Sequence, residues 1–305
     1  VSARDQERDK VLALDLGGTV LKSALFDGDG AILRQGDGPS DGRLGGEALL
    51  GRAFQAIESY GPFDRIAVST TGQVDERTGS IAYANNNVPG YTGIPVRAIL
   101  EERYSVPVSV LNDVNAAALG EGFCGAARDA EDFLCLTYGT GVGGAIVIGR
   151  KVYGGSRGLA GEMGHILTHP DGLPCACGQR GCYEQYASAS ALVRRAQAVD
   201  LKVRDGQTLF ERLGENSLLG AVVEDWLKEV SYGLVTLTHI FNPSLIVVGG
   251  GVFRQSGLVE RLEALVIPRL MASYCQVSIR SAQLGNMAGL YGAYRASRNS
   301  LTEGA

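Results

Sequence analysis

The sequence predicts an α/β protein of two domains, and three observations carry that prediction. Strands interleave with helices along most of the chain, a short three-strand meander built around a Gly-rich turn occurs twice, and 305 residues exceed one small core. Residues 11–16, VLALDL, read as a buried strand; Gly17-Gly18 turns the chain, and VLKSALFD from Val20 alternates like a second strand. DGDG at 27–30 is a turn and AILRQ a third strand. The pattern returns as FLCLTY, the turn GTGVGG, AIVIG and KVY. Between the meanders the spacing predicts a helix over 47–60, the strand RIAVST, a helix over 96–103 and the strand VPVSVLN. After them come a Gly, Cys and His rich segment over 154–184, helices to Phe241, the strand SLIVVGG, a helix over 258–270, a strand near Val277 and a last helix from Met287. Two such halves facing each other would place both Gly-rich turns on one cleft.

Composition narrows the function. With 45% hydrophobic and 20% charged residues the chain has material for two cores and no reason for disorder. A net charge of -5 without a basic stripe argues against a nucleic-acid partner. The longest apolar run, near 245–248, stops at three glycines, well short of the roughly 20 residues that cross a bilayer. The charged start VSARDQERDK has no apolar signal core, so a cytoplasmic protein is expected. Of six cysteines, Cys175, Cys177 and Cys182 crowd one loop, which suits a metal better than bridges; Cys124, Cys135 and Cys275 read as buried small hydrophobes.

Asp15, Gly17, Gly18 and Thr19 lie between two strands, where glycines let backbone N–H groups face an anion. Gly139, Thr140 and Gly141 repeat the arrangement, which favours a phosphate clamp over two plain hairpins. A carboxylate at Asp15 suits the magnesium that accompanies ATP, and Lys22 reads equally as a phosphate partner or a solvated strand residue. Asn112-Asp113 ends a strand where an apolar-periodic helix begins; either residue suits an N-cap, and an ionised Asp there also suits accepting a proton from an alcohol. Within GHILTHPDGLPCACGQRGC, three cysteines and a histidine match the tetrahedral preference of zinc, with His165 and His169 both eligible by spacing. Four protein ligands would close the site and make the zinc structural. Glu162 and Glu184 flank this loop, read as solvated glutamates unless a metal fixes the loop and aims them as paired acceptors for sugar hydroxyls, and the run 85–91, NNNVPGY, reads either as a polar turn or as a source of amides for a polyol.

At this point the residues resemble the ROK sugar kinases, the group that includes bacterial glucokinases and N-acetylhexosamine kinases. The resemblance spans nearly the whole chain. It is most specific in Gly161-Glu162-Met163-Gly164-His165 and in Cys175-Ala176-Cys177-Gly178-Gln179-Arg180-Gly181-Cys182-Tyr183-Glu184. Asp15-Leu16-Gly17-Gly18-Thr19 is similar to the first phosphate motif, Gly139-Thr140-Gly141 to the second, and Gly249-Gly250-Gly251 to the adenosine-side loop. The resemblance implies an actin-like ATPase fold of two ribonuclease-H-like domains with ATP and sugar in the cleft between them. The expected domains are 1–114, with the last helix 287–305 packing back on it, and 115–286, which carries the zinc loop 162–184. It implies Asp113 as catalytic base and Asn112, Asp113, Glu162, His165 and Glu184 as sugar ligands, with Asn87 matched to a sugar-binding asparagine. It also implies that His165, rather than His169, joins Cys175, Cys177 and Cys182 on zinc. Where many glucokinases have Pro-Asn before Pro-Gly-Trp, this chain reads Asn86-Asn87-Val88-Pro89-Gly90-Tyr91.

The expected activity is transfer of the ATP γ-phosphate to the 6-hydroxyl of a hexose, glucose first, with N-acetylmannosamine, N-acetylglucosamine or a β-glucoside as alternatives. A homo-dimer or higher homo-oligomer is expected. A sugar-sensing regulator would need a helix-turn-helix before the first strand, and the ten residues before Val11 are too few for it.

Overall fold

In a computed structural model the described residues are 9–299. In chain order they form β1 (Val11–Leu16), β2 (Val20–Phe26), β3 (Ile32–Pro39), α1 (Gly46–Glu58), β4 (Arg65–Thr70), β5 (Gln73–Asp75), β6 (Ser80–Tyr83), α2 (Val96–Tyr104), β7 (Val108–Asn112) and α3 (Asp113–Cys124). There follow β8 (Phe133–Tyr138), β9 (Val142–Ile148), β10 (Lys151–Val152), α4 (Glu184–Ala187), α5 (Ala189–Gln197), α6 (Gly206–Arg212), α7 (Ser217–Phe241), β11 (Leu245–Gly249), α8 (Leu258–Val266), β12 (Ser278–Ser281) and α9 (Ala288–Asn299).

The duplication read from the sequence is present in the sheets. One five-stranded sheet runs β3-β2-β1-β4-β7 and the other β10-β9-β8-β11-β12. In each, the first strand pairs antiparallel with the second and parallel with a strand that arrives after a helical connection. The chain divides into two compact units, 1–128 with 151–160 and 286–305, and 129–150 with 161–285.

In the first unit, Leu12, Leu14 and Leu16 of β1 are buried with α1 and α2, while Val11 and Ala13 are buried with Leu290, Ala293 and Tyr294 of α9. Helices on both faces explain why VLALDL is apolar at nearly every position instead of alternating. Helices α3 and α9 pack backbone to backbone: a Cβ at Gly120 would collide with the Ala288 carbonyl and one at Gly292 with the Ala116 carbonyl. That packing draws α3 into the first unit, whereas the sequence places a domain boundary at 114; the observed break follows Arg128. The expected last helix over 287–305 begins at Ala288, and residues 300–305 lie outside the described residues.

In the second unit, β11 is buried at all of its positions, and Trp226, Leu227, Val230, Leu234 and Leu237 of α7 are buried too. Strand β9 begins at Val142, not after the glycines, because Gly143 and Gly144 pair with Thr137 and Leu136 of β8. A side chain at Gly144 would enter the space of the Gly161 carbonyl and Met163. Helix α8 stops at Val266, and Pro268 lies in the short turn that follows. The hairpin of β5 and β6 in the first unit has no counterpart in the sequence reading.

Candidate functional site

In the first unit the polar groups gather at the C-terminal ends of β1, β4 and β7. Asp15 Oδ1 accepts from Ser69 Oγ at 2.8 Å, and Asp15 Oδ2 lies 3.1 Å from Lys22 Nζ. Lys22 is half-buried and is the cross-strand partner of Asp15. Gly289 of α9 leaves room for this carboxylate, since its Cβ would sit 3.1 Å from Asp15 Cγ. The Gly17 N–H donates to Val20 O at 3.1 Å and closes the first turn. Gly18 and Thr19 complete it, Thr19 exposed.

Asn112, not Asp113, caps α3: its Oδ1 accepts from Val114 N at 2.9 Å and Asn115 N at 3.2 Å. Asp113 is the first helical residue. Its Oδ1 accepts from Asn112 Nδ2 and Val114 N, each at 2.9 Å. Burial first, and then the Asp15 charge, push its carboxyl up to about 6, against the pull of those two hydrogen bonds. Asn112 Nδ2 also donates to Gly72 O at 2.9 Å, which fixes the end of β7 against the turn after β4. Asn87 is exposed, its N–H bonded to Asn85 Oδ1 at 3.0 Å. Its loop is anchored by the fully buried Tyr91, whose hydroxyl meets Thr70 Oγ1 at 2.8 Å.

In the second unit, one ligand atom from each of His165, Cys175, Cys177 and Cys182 lies within 4.8 Å of the others. Cys175 Sγ is 3.7 Å from His165 Nδ1 and Cys177 Sγ 3.6 Å from Cys182 Sγ. Those edges match a tetrahedron with metal–sulfur bonds of about 2.3 Å, so the donor set fits zinc. His169 lies elsewhere: its ring stacks on Tyr186 with centroids 3.8 Å apart, and its Nε2 is 3.4 Å from Glu229. Glu162 Oε2 stands 3.9 Å from His165 Nε2, and Glu184 Oε1 stands 3.1 Å from Cys175 Sγ and 3.9 Å from His165 Nδ1. Both carboxylates therefore border the metal cluster. Cys124 and Cys275 are exposed rather than buried, and only Cys135 among the remaining three is part of a core.

The second turn touches the same group, because a Cβ at Gly141 would collide with Glu184 Oε2. Gly139 N–H bonds to Gly141 O at 3.0 Å across it, and Thr140 at its tip is exposed. Gly250 has φ +107° and presses on the Tyr138 carbonyl, a place closed to any side chain. Beside these glycines opens a cavity of about 760 Å³ lined by Tyr138, Gly139, Gly251, Phe210, Gln207 and Arg254, among others. Gly249 floors the neighbouring strand end against Thr137. The α6 residues were not singled out from the sequence, since Gln207 and Glu211 at i, i+4 look like an ordinary solvated pair.

Two five-stranded mixed sheets of matching strand order, each with a glycine turn between its first two strands, define the actin-like ATPase class. The ROK family profile matches residues 11–299, and the chain belongs to the ROK family. It is 32% identical to a glucokinase of Streptomyces coelicolor (92% of this chain, 95% of that one). It is 33% identical to an N-acetylmannosamine kinase of Haemophilus influenzae (93% and 94%). Among solved structures, a ROK hexokinase from Thermus thermophilus superposes with a TM-score of 0.83 at 35% identity, over 97% of this chain and 100% of that one. No helix among the described residues is long and apolar enough to cross a membrane.

Proposed function

We propose that this chain is an ATP-dependent hexose kinase that transfers the γ-phosphate to the 6-hydroxyl of glucose. The observation that carries the reading is the Asp113 carboxyl, held at a helix start by two hydrogen bonds and raised to about 6. A base of that strength is largely ionised at neutral pH yet accepts a proton readily as an alcohol oxygen attacks phosphorus. The first unit supplies this base. In its turn the Gly17 N–H is bonded to Val20 O, the N–H groups of Gly18 and Thr19 are offered to phosphate, and Lys22 adds a positive charge. Asp15, with both oxygens already partnered, suits the water shell of a magnesium ion, which prefers to keep several waters. Magnesium, when bound with ATP, neutralises phosphate charge.

The second unit supplies Gly139, Thr140 and Gly141 for phosphate, the cavity beside Gly251 for adenosine, and Glu162, His165 and Glu184 for sugar hydroxyls. Zinc on His165, Cys175, Cys177 and Cys182 would hold the loop that carries those carboxylates. Asn112 and Asn87 complete the sugar set, and a homo-oligomer in the cytoplasm is the expected form. N-acetylmannosamine is the second reading, favoured by an identity to a kinase for that sugar as high as the identity to a glucokinase. A coupled ADP-release assay over glucose, N-acetylmannosamine, N-acetylglucosamine and a β-glucoside decides. Glucose should turn over fastest; N-acetylmannosamine in first place selects the second reading, and no turnover with any sugar sinks the kinase assignment.

A further inference from the structure

Tyr138 and Tyr183 are fully buried, with their hydroxyls 3.0 Å apart. Tyr183 Oη donates to the Val230 carbonyl of α7 at 2.7 Å, so its single proton is committed and the Tyr138 hydroxyl must be the donor between the two. Their rings meet nearly edge-on, centroids 6.4 Å apart at 82°. Gly233 of α7 makes the space, since a Cβ there would strike the Tyr183 ring. Phe253, at 5.1 Å, wedges Tyr138 from another side.

Packing alone does not need these hydroxyls. A phenylalanine at either place would bury the same ring without removing a polar group from water, so the bond calls for another reason. The positions supply one. Tyr138 is the last residue of β8, directly before Gly139-Thr140-Gly141, and lines the cavity. Tyr183 stands between the metal ligand Cys182 and Glu184, the first residue of α4.

We propose that the Tyr138–Tyr183 hydrogen bond couples nucleotide binding at the cavity to the order of the metal loop and of Glu184. It is a positioning device and touches no substrate. Phosphates that order the second turn fix the end of β8; the bond passes that restraint to Tyr183 and so to the residues on either side of it. Linkage makes the effect reciprocal, so an ordered loop favours nucleotide in return. The inference rests on reading the cavity as the nucleotide site, and its test separates the two.

The test is hydrogen–deuterium exchange of residues 172–187 in the full, zinc-loaded chain, with and without AMPPNP, for the parent, Tyr183→Phe, Tyr138→Phe and the double variant. In the parent AMPPNP should slow exchange there at least about 5-fold, the lower range of ordinary coupling. In each Phe variant the nucleotide-dependent slowing should fall to less than about 2-fold, while zinc content stays at the parent level. Tyr183→Phe strands the Tyr138 proton in the core, so its exchange without nucleotide should be the fastest of the set. Tyr138→Phe strands no donor and guards against misfolding as the cause, and the double variant should be no worse than Tyr183→Phe. Full slowing retained in both single variants, or no slowing in a parent that binds AMPPNP, overturns the coupling and leaves the nucleotide reading intact. A parent that binds no AMPPNP overturns both.

Discussion

Asp15 on β1 lies between Lys22 on β2 and Ser69 on β4, whereas Thr137, at the same place on β8, lies between Gly143 on β9 and Gly249 on β11. The backbone plan is shared and the chemistry is not. The first turn is set among charged and hydroxyl groups that polarise one another, and Asp113 titrates in the field of Asp15. The strand ends beside the second turn carry glycines at 143, 249 and 250, so that Gly250 can press on the Tyr138 carbonyl and a cavity can open beside Gly251. At these matched strand ends, then, one copy of the fold supplies charge and the other supplies space.

If charge belongs to the first unit, the largest loss should follow its removal there. Asp113→Asn should lower kcat by roughly 10² to 10⁴ with the fold kept, because Asn112 rather than Asp113 caps the helix. The folded carboxyl titrates near 6, above its ordinary value of 3.8, so the folded state holds the proton more tightly. The stability it contributes is present below about pH 4 and lost as pH rises through 6. Asp113→Asn should therefore gain melting temperature relative to the parent at pH 7.5 and not at pH 4. Near-normal turnover with a lower melting point at pH 7.5 would end the base assignment.

On the side of the second turn, Cys177→Ser should come next in size. Losing one of four ligands should reduce zinc affinity at least about 10- to 100-fold and weaken sugar binding with it, read by metal analysis and calorimetry. Zinc loss with unchanged sugar affinity separates the loop from the sugar site. Gly250→Ala tests space directly. A methyl forced on the Tyr138 carbonyl at φ +107° should cost about 1–3 kcal/mol in denaturant unfolding and weaken AMPPNP several-fold. Ala at Gly251, where a Cβ meets no protein atom within 4 Å, should leave the unfolding free energy unchanged. Smallest is Asn112→Ala, a lost cap worth about 1 kcal/mol, with a loss in kcat of less than about 10-fold if Asp113 keeps its Val114 bond. Equal melting points for Asn112→Ala and the parent would reopen the question of which residue caps α3.

The strands and the metal loop were legible because their signals are local: VLALDL and RIAVST fit buried parallel strands to the residue, and three cysteines within eight residues leave little choice of chemistry. Other features depend on partners distant in sequence. The hairpin of β5 and β6 is too short, at three and four residues, to show a period. The strand character of Gly143 and Gly144 comes from β8, not from propensity. Whether Asn112 or Asp113 caps α3 turns on a side-chain rotamer. The Lys22–Asp15 pair required a register, and the α6 lining of the cavity a tertiary arrangement, that spacing alone does not carry.

The close fit of Gly120 and Gly292 has a consequence in time as well as in space. Helix α9 covers one face of the first sheet, yet it is separated from β1 by the whole of the second unit. During synthesis β1, β2 and β4 must wait with Val11, Ala13 and Phe26 uncovered until residues 288–299 emerge, while the second unit's own elements are all made before that point. The part of the chain made first should then be finished last. Hydrogen exchange on ribosome-bound chains halted before residues 288–299 have emerged should show amides of β8 and β11 protected while those of β1 and β4 still exchange.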